Sequence, residues 1–448
     1  MKESRYNIWI DRDDGAYVYN GVSGTLLRID VAERDALTRF LDGDDAHGLS
    51  ARVAADLVAG RMLVADGGDE LAVLRSRYER SRHDTTSFGL TIVTSLGCNF
   101  DCPYCFEAKH PSILSPAVEA SVLRVLDDQL PRIDDFHVTW FGGEPLVGKR
   151  PLLSLSDEFI ARCDAASVDY GASIITNGYL LTADTCRELQ ERRVTSAQVG
   201  LDGPPEHHDR MRPLANGDPS FWRIVENLHH AVEHMEVVVR VNLDSTNVDG
   251  VEPLLQILAD EGLAGKLGVY PGHIVGVAEN PSAPSTTYET AHTCVTTPEF
   301  AGLSQEFSRQ AARFGFGVTG LPQSSGTPCT AVRANELVVG SEGELYKCWD
   351  SVGSSFEVIG HIDDYQNTNG RMRRWLSYDP FKNDECVSCI ALPVCMGGCA
   401  HHAMDINLYE DRCGTFRFNY EERVSDFIEA RRGAAVAVAP PQRRAKTC

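Results

Sequence analysis

The chain has 448 residues, 43% hydrophobic and 24% charged, which is the composition of a folded globular protein and excludes a disordered or collagen-like one. Lys plus Arg number 42 against 64 Asp plus Glu, and a net charge of −22 argues against general nucleic-acid binding, which rests on cationic side chains at phosphates. No run reaches the roughly 18 apolar residues of a membrane helix, and the N-terminal MKESRYNIWIDRDDG is not a secretory signal, so the expected location is the cytoplasm, with neither nucleic acid nor membrane as partner.

Such a length supports about three domains. Residues 1–85 read as a small α/β unit. YNIWID and AYVYNG alternate around Asp13-Asp14-Gly15 and predict paired strands. VAERDALTRFLD and SARVAADLVAGRMLV have helical spacing, and the charged ELAVLRSRYERSRHD predicts a connecting helix.

From Gly89 the pattern alternates between strand and helix. The strands are GLTIVTSLG, FHVTWFGG, ASIITNG, AQVGLDG, EVVVRVNLD and KLGVYPG, with helices between them. Ser115 is a cap and Pro116 a first-turn residue for the first of these helices. Such alternation implies a parallel sheet with right-handed crossovers. About six repeats without a dinucleotide-binding glycine pattern favour a barrel or partial barrel, whose chemistry sits where the strands end. SLGC, FGGEP, TNG, LDG and NLD each follow a strand. Residues 86–323 form this barrel segment. From 324 to about 430 the alternation fades and cysteines crowd, which suggests a small domain held by metal. Residues 431–448 are expected to be a disordered tail.

There are 14 cysteines, and in a chain without an export signal clustered thiols more often hold metal than pair as disulfides. Cys98, Cys102 and Cys105 lie in one tight loop directly after the first barrel strand. Zinc also takes thiolates, but a closed structural site wants four ligands, and none stands nearby before His110. Iron–sulfur clusters are usually held by four thiolates, so three leave one iron open for chemistry. Seven further thiols fall in order: Cys329, then Gly343-x4-Cys348, Cys386-x2-Cys389-x5-Cys395-x3-Cys399, and Cys413. One or two structural zinc sites would also explain these. Cys163 and Cys186 fall on predicted helices as small buried apolar residues. The pairs His207-His208, His229-His230 and His401-His402 read as helix or loop surface.

The three-cysteine loop resembles the signature of the radical S-adenosylmethionine enzymes, and the seven later cysteines resemble a SPASM domain. The resemblance covers residues 86–420. The N-terminal unit is similar, more loosely, to a winged-helix peptide-recognition element. The fold implied is α/β: a partial (β/α)6 TIM-like barrel between a winged-helix-like domain and a cysteine-rich SPASM domain. The resemblance implies that the open iron of the Cys98–Cys102–Cys105 cluster binds S-adenosyl-L-methionine and, after one-electron cleavage, yields a 5′-deoxyadenosyl radical that takes hydrogen from the substrate. It also implies cofactor contacts at Gly142, Gly143 and Glu144 toward the amino group, at Tyr104 near the adenine, at Asn177 and Asp202 toward the ribose, and at Arg212 toward the carboxylate. Asn177-Gly178 and Asp202-Gly203 are also ordinary turn sequences, and Arg212 could be a surface residue beside Arg210.

The SPASM resemblance implies two auxiliary [4Fe–4S] clusters, three clusters in all. Cys329, Cys348 and Cys399 would serve the first, and Cys386, Cys389, Cys395 and Cys413 the second. Either Cys294 supplies the fourth ligand of the first, or that iron is open to a substrate thiolate. SPASM enzymes mostly modify peptides. The implied activity is that of an oxidoreductase and peptide maturase which, after hydrogen abstraction, forms a thioether or carbon–carbon crosslink in a ribosomally made precursor. Its partners would be the precursor's leader segment and an electron donor such as flavodoxin or ferredoxin. An anaerobic sulfatase-maturing (formylglycine-generating) enzyme is the alternative. In that group an aspartate directly follows the cysteine matching Cys348, whereas here Trp349 intervenes before Asp350. A zinc-stabilised binding protein is the non-enzymatic alternative.

Overall fold

The computed structural model describes residues 1–43, 48–107, 109–275, 283, 293–317 and 320–434, and the expected tail lies largely outside them. Strand β1 (Lys2–Glu3) is followed by β2 (Asn7–Arg12), β3 (Gly15–Asn20) and β4 (Thr25–Ile29), then helices α1 (Val31–Leu41) and α2 (Ala51–Ala59), β5 (Leu63–Val64) and α3 (Glu70–Arg82). The Asp13-Asp14 hairpin joins β2 to β3, with Arg12 paired to Gly15. Gly15 has φ +137°, and a side chain there would meet the Ile29 carbonyl oxygen at 2.4 Å. The third strand, β4, was not read from the sequence. TLLRI is half-buried along most of its length, so it lacks the clean alternation of its neighbours.

Six strands then run in parallel, each beside the next: β6 (Ser87–Ser95), β7 (Asp135–Gly142), β8 (Asp169–Thr176), β9 (Val194–Gly200), β10 (Glu236–Leu243) and β11 (Gly268–His273). Helices α4 (Pro116–Gln129), α5 (Lys149–Ala166), α6 (Ala183–Glu191), α7 (Pro205–Met211), α8 (Phe221–Ala231) and α9 (Val251–Asp260) return the chain between them. Ser115 caps α4 by accepting from the Val118 N–H, with Pro116 at its start, as expected. The sheet does not stop at β6. Strand β12 (Glu336–Val339) joins its free edge in parallel, and β13 (Glu344–Tyr346) and β14 (Gly360–His361) follow antiparallel. The result is an open, mostly parallel nine-stranded sheet with β11 and β14 at its edges. The cysteine-rich segment is therefore partly woven into the barrel sheet.

β6 is buried at nearly every position, covered on both faces, whereas β7 and β8 mostly alternate buried with half-buried side chains. Phe88, Phe136, Trp140, Phe159 and Tyr170 form an aromatic cluster between β6–β8 and α5, with ring centroids 5.1–6.2 Å apart. The N-terminal helix α3 is more than a connector. Leu74 and Tyr78 are fully buried in the same apolar cluster, and Tyr78 Oη donates to the Tyr378 carbonyl at 2.7 Å. Its helix hides one narrow stripe, which charged neighbours mask in the sequence. Among the described residues no helix is long and apolar enough to cross a membrane.

Candidate functional site

The strand ends β6–β10 converge on one face, as in other parallel α/β folds. After β6 the chain turns into the loop carrying Cys98, Cys102 and Cys105. A second loop, after β7, packs onto it backbone to backbone. The Gly143 N–H donates to the Ser95 carbonyl and the Glu144 N–H to the Gly97 carbonyl, both at 3.1 Å. Gly142 has φ +133°, and a Cβ there would sit 2.2 Å from the Ser95 carbonyl oxygen, while one on Gly143 would be 2.8 Å from that of Leu96. Only glycine permits this approach.

Glu144 is fully buried. Oε1 accepts from the Leu146 N–H at 2.9 Å, Oε2 accepts from the Asn177 N–H at 2.8 Å, and Thr176 Oγ1 donates to both oxygens at 2.8 and 3.0 Å. The carboxylate thus ties the ends of β7 and β8 together. Burial pushes its pKa up, opposed by these hydrogen bonds and by Arg212. Asn177 Nδ2 donates to Asn99 Oδ1 at 2.8 Å and points at Cys98 Sγ at 3.8 Å.

The opposite wall is a second network. Tyr104 Oη donates to Asp202 Oδ2 and accepts from Arg212 Nη1 at 2.7 Å. Asp202 Oδ1 accepts from the backbone and side-chain amides of Asn242 at 3.1 Å. The Asp202 N–H donates to His208 Nδ1 at 3.2 Å, which leaves Nε2 to donate to Ser220 Oγ at 3.1 Å. His208 is fully buried, its pKa held well below the ordinary value by desolvation, so it stays neutral. The expectation of a surface histidine fails here and at buried His401. Short helix α7 turns His208 inward and the helix Ala400–Met404 turns His401 inward, and a two-residue motif carries no facing information. Arg212 is not a surface residue either. Its guanidinium fills the space left by Gly200, where a Cβ would stand 2.8 Å from its central carbon, and its buried Nε has no partner among the described residues. An orphaned cationic donor on this wall suits an anionic group.

The thiols suit a bound cation. Burial pushes Cys98 to about 11 and Cys105 to about 12, and it also raises Cys102, which Arg212 and Lys109 partly offset. Desolvated thiols of this kind ionise when a cation binds them. Glu107, missed in the sequence, is buried beside Cys105 with Oε2 unpartnered among the described residues, and desolvation raises it to about 8. Asn99, Thr176, His208 and Asn242 were also missed, although Asn242 lies in the strand-end NLD motif.

Burial raises the Cys348 thiol, with Asp350, Cys329 and Cys399 adding to it, and burial raises Cys395 to about 12, with Cys389, Cys386 and Cys413 adding to it. Arg417 Nη1 donates to Cys413 Sγ at 3.0 Å. Burial raises the Cys294 thiol, and the Asp244 and Asp411 carboxylates add to the shift. Cys163 and Cys186 are fully buried in helices, as expected.

Residues 92–258 match the family model described as the Radical SAM superfamily. A serine-type anaerobic sulfatase-maturating enzyme of Bacteroides thetaiotaomicron is 28% identical over 149 residues, which are 31% of this chain and 34% of that protein, so this chain spans about a third of it. One from Klebsiella pneumoniae is 23% identical over 326 residues, 68% of this chain and 79% of that protein. Among solved structures, native anSMEcpe with bound AdoMet and Cp18Cys peptide aligns with a TM-score of 0.57 at 18% identity, covering 76% of this chain and 99% of that one. Streptococcus suis SuiB bound to precursor peptide SuiA aligns at 0.52 and 14%, covering 92% and 99%. At these identities the structures speak for the fold alone. With its parallel sheet, its strand-end thiol loop and the matching family model, the chain carries a radical SAM domain.

Proposed function

We propose that this protein is a radical S-adenosylmethionine enzyme that modifies a peptide, with a maturase forming a thioether or carbon–carbon crosslink as the first reading. One observation carries it: a three-thiol loop at the strand ends, enclosed by the Gly142–Glu144 loop and the Tyr104–Asp202–Arg212 wall, with seven further thiols between Cys329 and Cys413. When bound, the cluster on Cys98, Cys102 and Cys105 and S-adenosylmethionine supply the 5′-deoxyadenosyl radical that takes hydrogen from the substrate. The protein's own part is placement and exclusion of water. Gly142 and Gly143 let the loop after β7 close onto the cysteine loop and so shape the amino-group end, Arg212 offers its free edge to the carboxylate, and Tyr104, Asn177 and Asp202 shape the nucleoside end. Two auxiliary clusters, on Cys329, Cys348 and Cys399 and on the Cys386–Cys413 set, would carry the surplus electron toward an external donor or acceptor such as flavodoxin or ferredoxin.

Gly200 tests the wall directly. Gly200→Ala forces the Arg212 guanidinium to move and is expected to raise KM for S-adenosylmethionine about tenfold or more, the loss of one charge-assisted contact, with iron content unchanged. An unaltered KM would remove Arg212 from the cofactor wall.

The N-terminal sheet supplies the recognition element in this reading. Its β2 edge is covered by the C-terminal helix Phe416–Ala434, where Arg12 bonds Glu429 at 2.9 Å. Among the described residues β4 pairs only with β3, which leaves an edge for an added leader strand. Arg28→Pro in β4 is expected to weaken leader affinity about tenfold, roughly 1.4 kcal/mol, while peptide-free 5′-deoxyadenosine formation continues. Equal leader affinity by calorimetry would refute edge docking.

The names of the Bacteroides and Klebsiella relatives favour a second reading, formylglycine formation in a sulfatase. Anaerobic reconstitution, iron counting and reduction with S-adenosylmethionine decide the class: about twelve irons and 5′-deoxyadenosine support the enzyme, whereas zinc without product leaves a metal-stapled binding protein. A sulfatase-derived serine or cysteine peptide, compared with small cysteine-rich peptides encoded beside the gene, then separates the two activities by product mass.

A further inference from the structure

Strand β10 reads EVVVRVNL, and its alternate residues Val237, Val239 and Val241 are buried in the main apolar cluster. Arg240 and Asn242 therefore share the opposite face, from which Asn242 reaches Tyr104 of the cysteine loop. Arg240 Nε donates to Asn242 Oδ1 at 2.9 Å. Asn242 Nδ2 donates in turn to Asp202 Oδ1 at 3.1 Å and to Tyr104 Oη at 3.4 Å. Arg212 Nη1 donates to Tyr104 Oη at 2.7 Å and stands 3.6 Å from Asp202 Oδ2. A continuous line of polar contacts thus joins Arg240 to Arg212.

The two neighbouring strands make room for this line. Arg240 stands opposite Gly200 on β9, and Asn242 stands opposite Gly272 on β11. A Cβ on Gly272 would lie 2.3 Å from Arg240 Nε and 2.6 Å from Asn242 Oδ1, just as one on Gly200 would crowd Arg212. Each flanking strand omits a side chain where a guanidinium lies. The chemistry of the amide explains why an arginine is needed. A carboxamide has an acceptor end and a donor end, whereas Nε–H can only donate. The charged donor therefore selects the orientation with Oδ1 toward Arg240 and the NH2 toward Asp202. Turned over, the amide would set its oxygen against the Asp202 carboxylate and its NH2 against the guanidinium.

We propose that Arg240 is a positioning residue that, through the Asn242 amide, fixes the Tyr104–Asp202–Arg212 wall in the arrangement that receives S-adenosylmethionine. This rests on the reading above that the wall faces that cofactor. Gly272 belongs to the same device, because its missing side chain lets the Arg240–Asn242 bond form.

The test measures S-adenosylmethionine binding by calorimetry to the full-length, iron-loaded chain without reductant, so that no cleavage occurs. Arg240→Met is expected to weaken binding about tenfold, the loss of one charge-assisted hydrogen bond. Gly272→Ala parts the two side chains without removing either, and it should weaken binding to a similar extent. In an Asn242→Ala background either change should add less than about twofold, because the group through which Arg240 acts is gone. At saturating S-adenosylmethionine, 5′-deoxyadenosine formation by Arg240→Met should stay within about threefold of the parent, whereas general damage to the fold would lower it. Should Arg240→Met not load with iron, Gly272→Ala decides by the same readings. Unchanged affinity, a loss that adds in full to that of Asn242→Ala, or a fall in the saturated rate with affinity intact each overturns the proposal. A parent chain that takes up iron yet binds no S-adenosylmethionine removes the cofactor reading itself, and the proposal with it.

Discussion

Replacing Cys98, Cys102 and Cys105 together by alanine is expected to abolish 5′-deoxyadenosine formation while leaving about eight of about twelve irons. The three thiols share one loop, and burial raises the pKa of each, so they ionise readily only against a bound cation. The other seven cluster thiols come from other turns, Cys329 just before β12 and Cys348 to Cys413 after it, and do not need the first loop. Loss of the loop thiols should therefore remove one centre cleanly. Cys386→Ala is the converse case. It should keep S-adenosylmethionine cleavage and lose the modified peptide, because the electron path is cut instead. A triple variant that still released 5′-deoxyadenosine at the parent rate would place the chemistry elsewhere. Loss of all iron would mean that the two regions fold as one metal-dependent unit.

The sequence made the six-strand alternation and the strand-end motifs legible because both rest on local patterns. Apolar runs such as GLTIVTS mark strands covered on both faces, and the thiol spacings are short-range. Long-range placement was not legible. Nothing in ELVV announces that Glu336–Val339 will add to the free edge of β6, since pairing partners far apart in sequence leave no periodic trace. α3 was misjudged for the same reason: Leu74 and Tyr78 are two apolar residues among charges, and only the fold shows that they join the main core. Glu144 was expected to face the cofactor, yet its carboxylate meets its own chain on both oxygens. Buried His208 looked like surface because a histidine pair does not say which side faces in.

Glu144→Gln is expected to be nearly as damaging as Glu144→Ala, and the reason lies in which atoms donate. Oε1 accepts the Leu146 N–H and Oε2 accepts the Asn177 N–H, in a pocket closed to water. A glutamine has one oxygen and one NH2. Whichever way it flips, a donor then faces a backbone donor. Each buried N–H left without an acceptor costs about 1–3 kcal/mol. The alanine variant strands the Leu146 and Asn177 amides and Thr176 Oγ1, while glutamine strands one amide and adds a repulsive contact. Both should lower the unfolding midpoint and loosen the Gly142–Gly143 approach onto the cysteine loop, so 5′-deoxyadenosine formation should fall at least about a hundredfold, the equivalent of roughly 2.7 kcal/mol at the transition state. If Glu144 acted only as a charge facing the cofactor's amino group, glutamine would keep the parent's thermal stability and raise KM for S-adenosylmethionine alone. Thermal unfolding of the iron-loaded variants, read beside KM and kcat, separates the two. A stable Glu144→Gln protein with a pure KM defect would return this carboxylate to the cofactor, and a destabilised one with a lowered kcat would keep it as the clasp between β7 and β8.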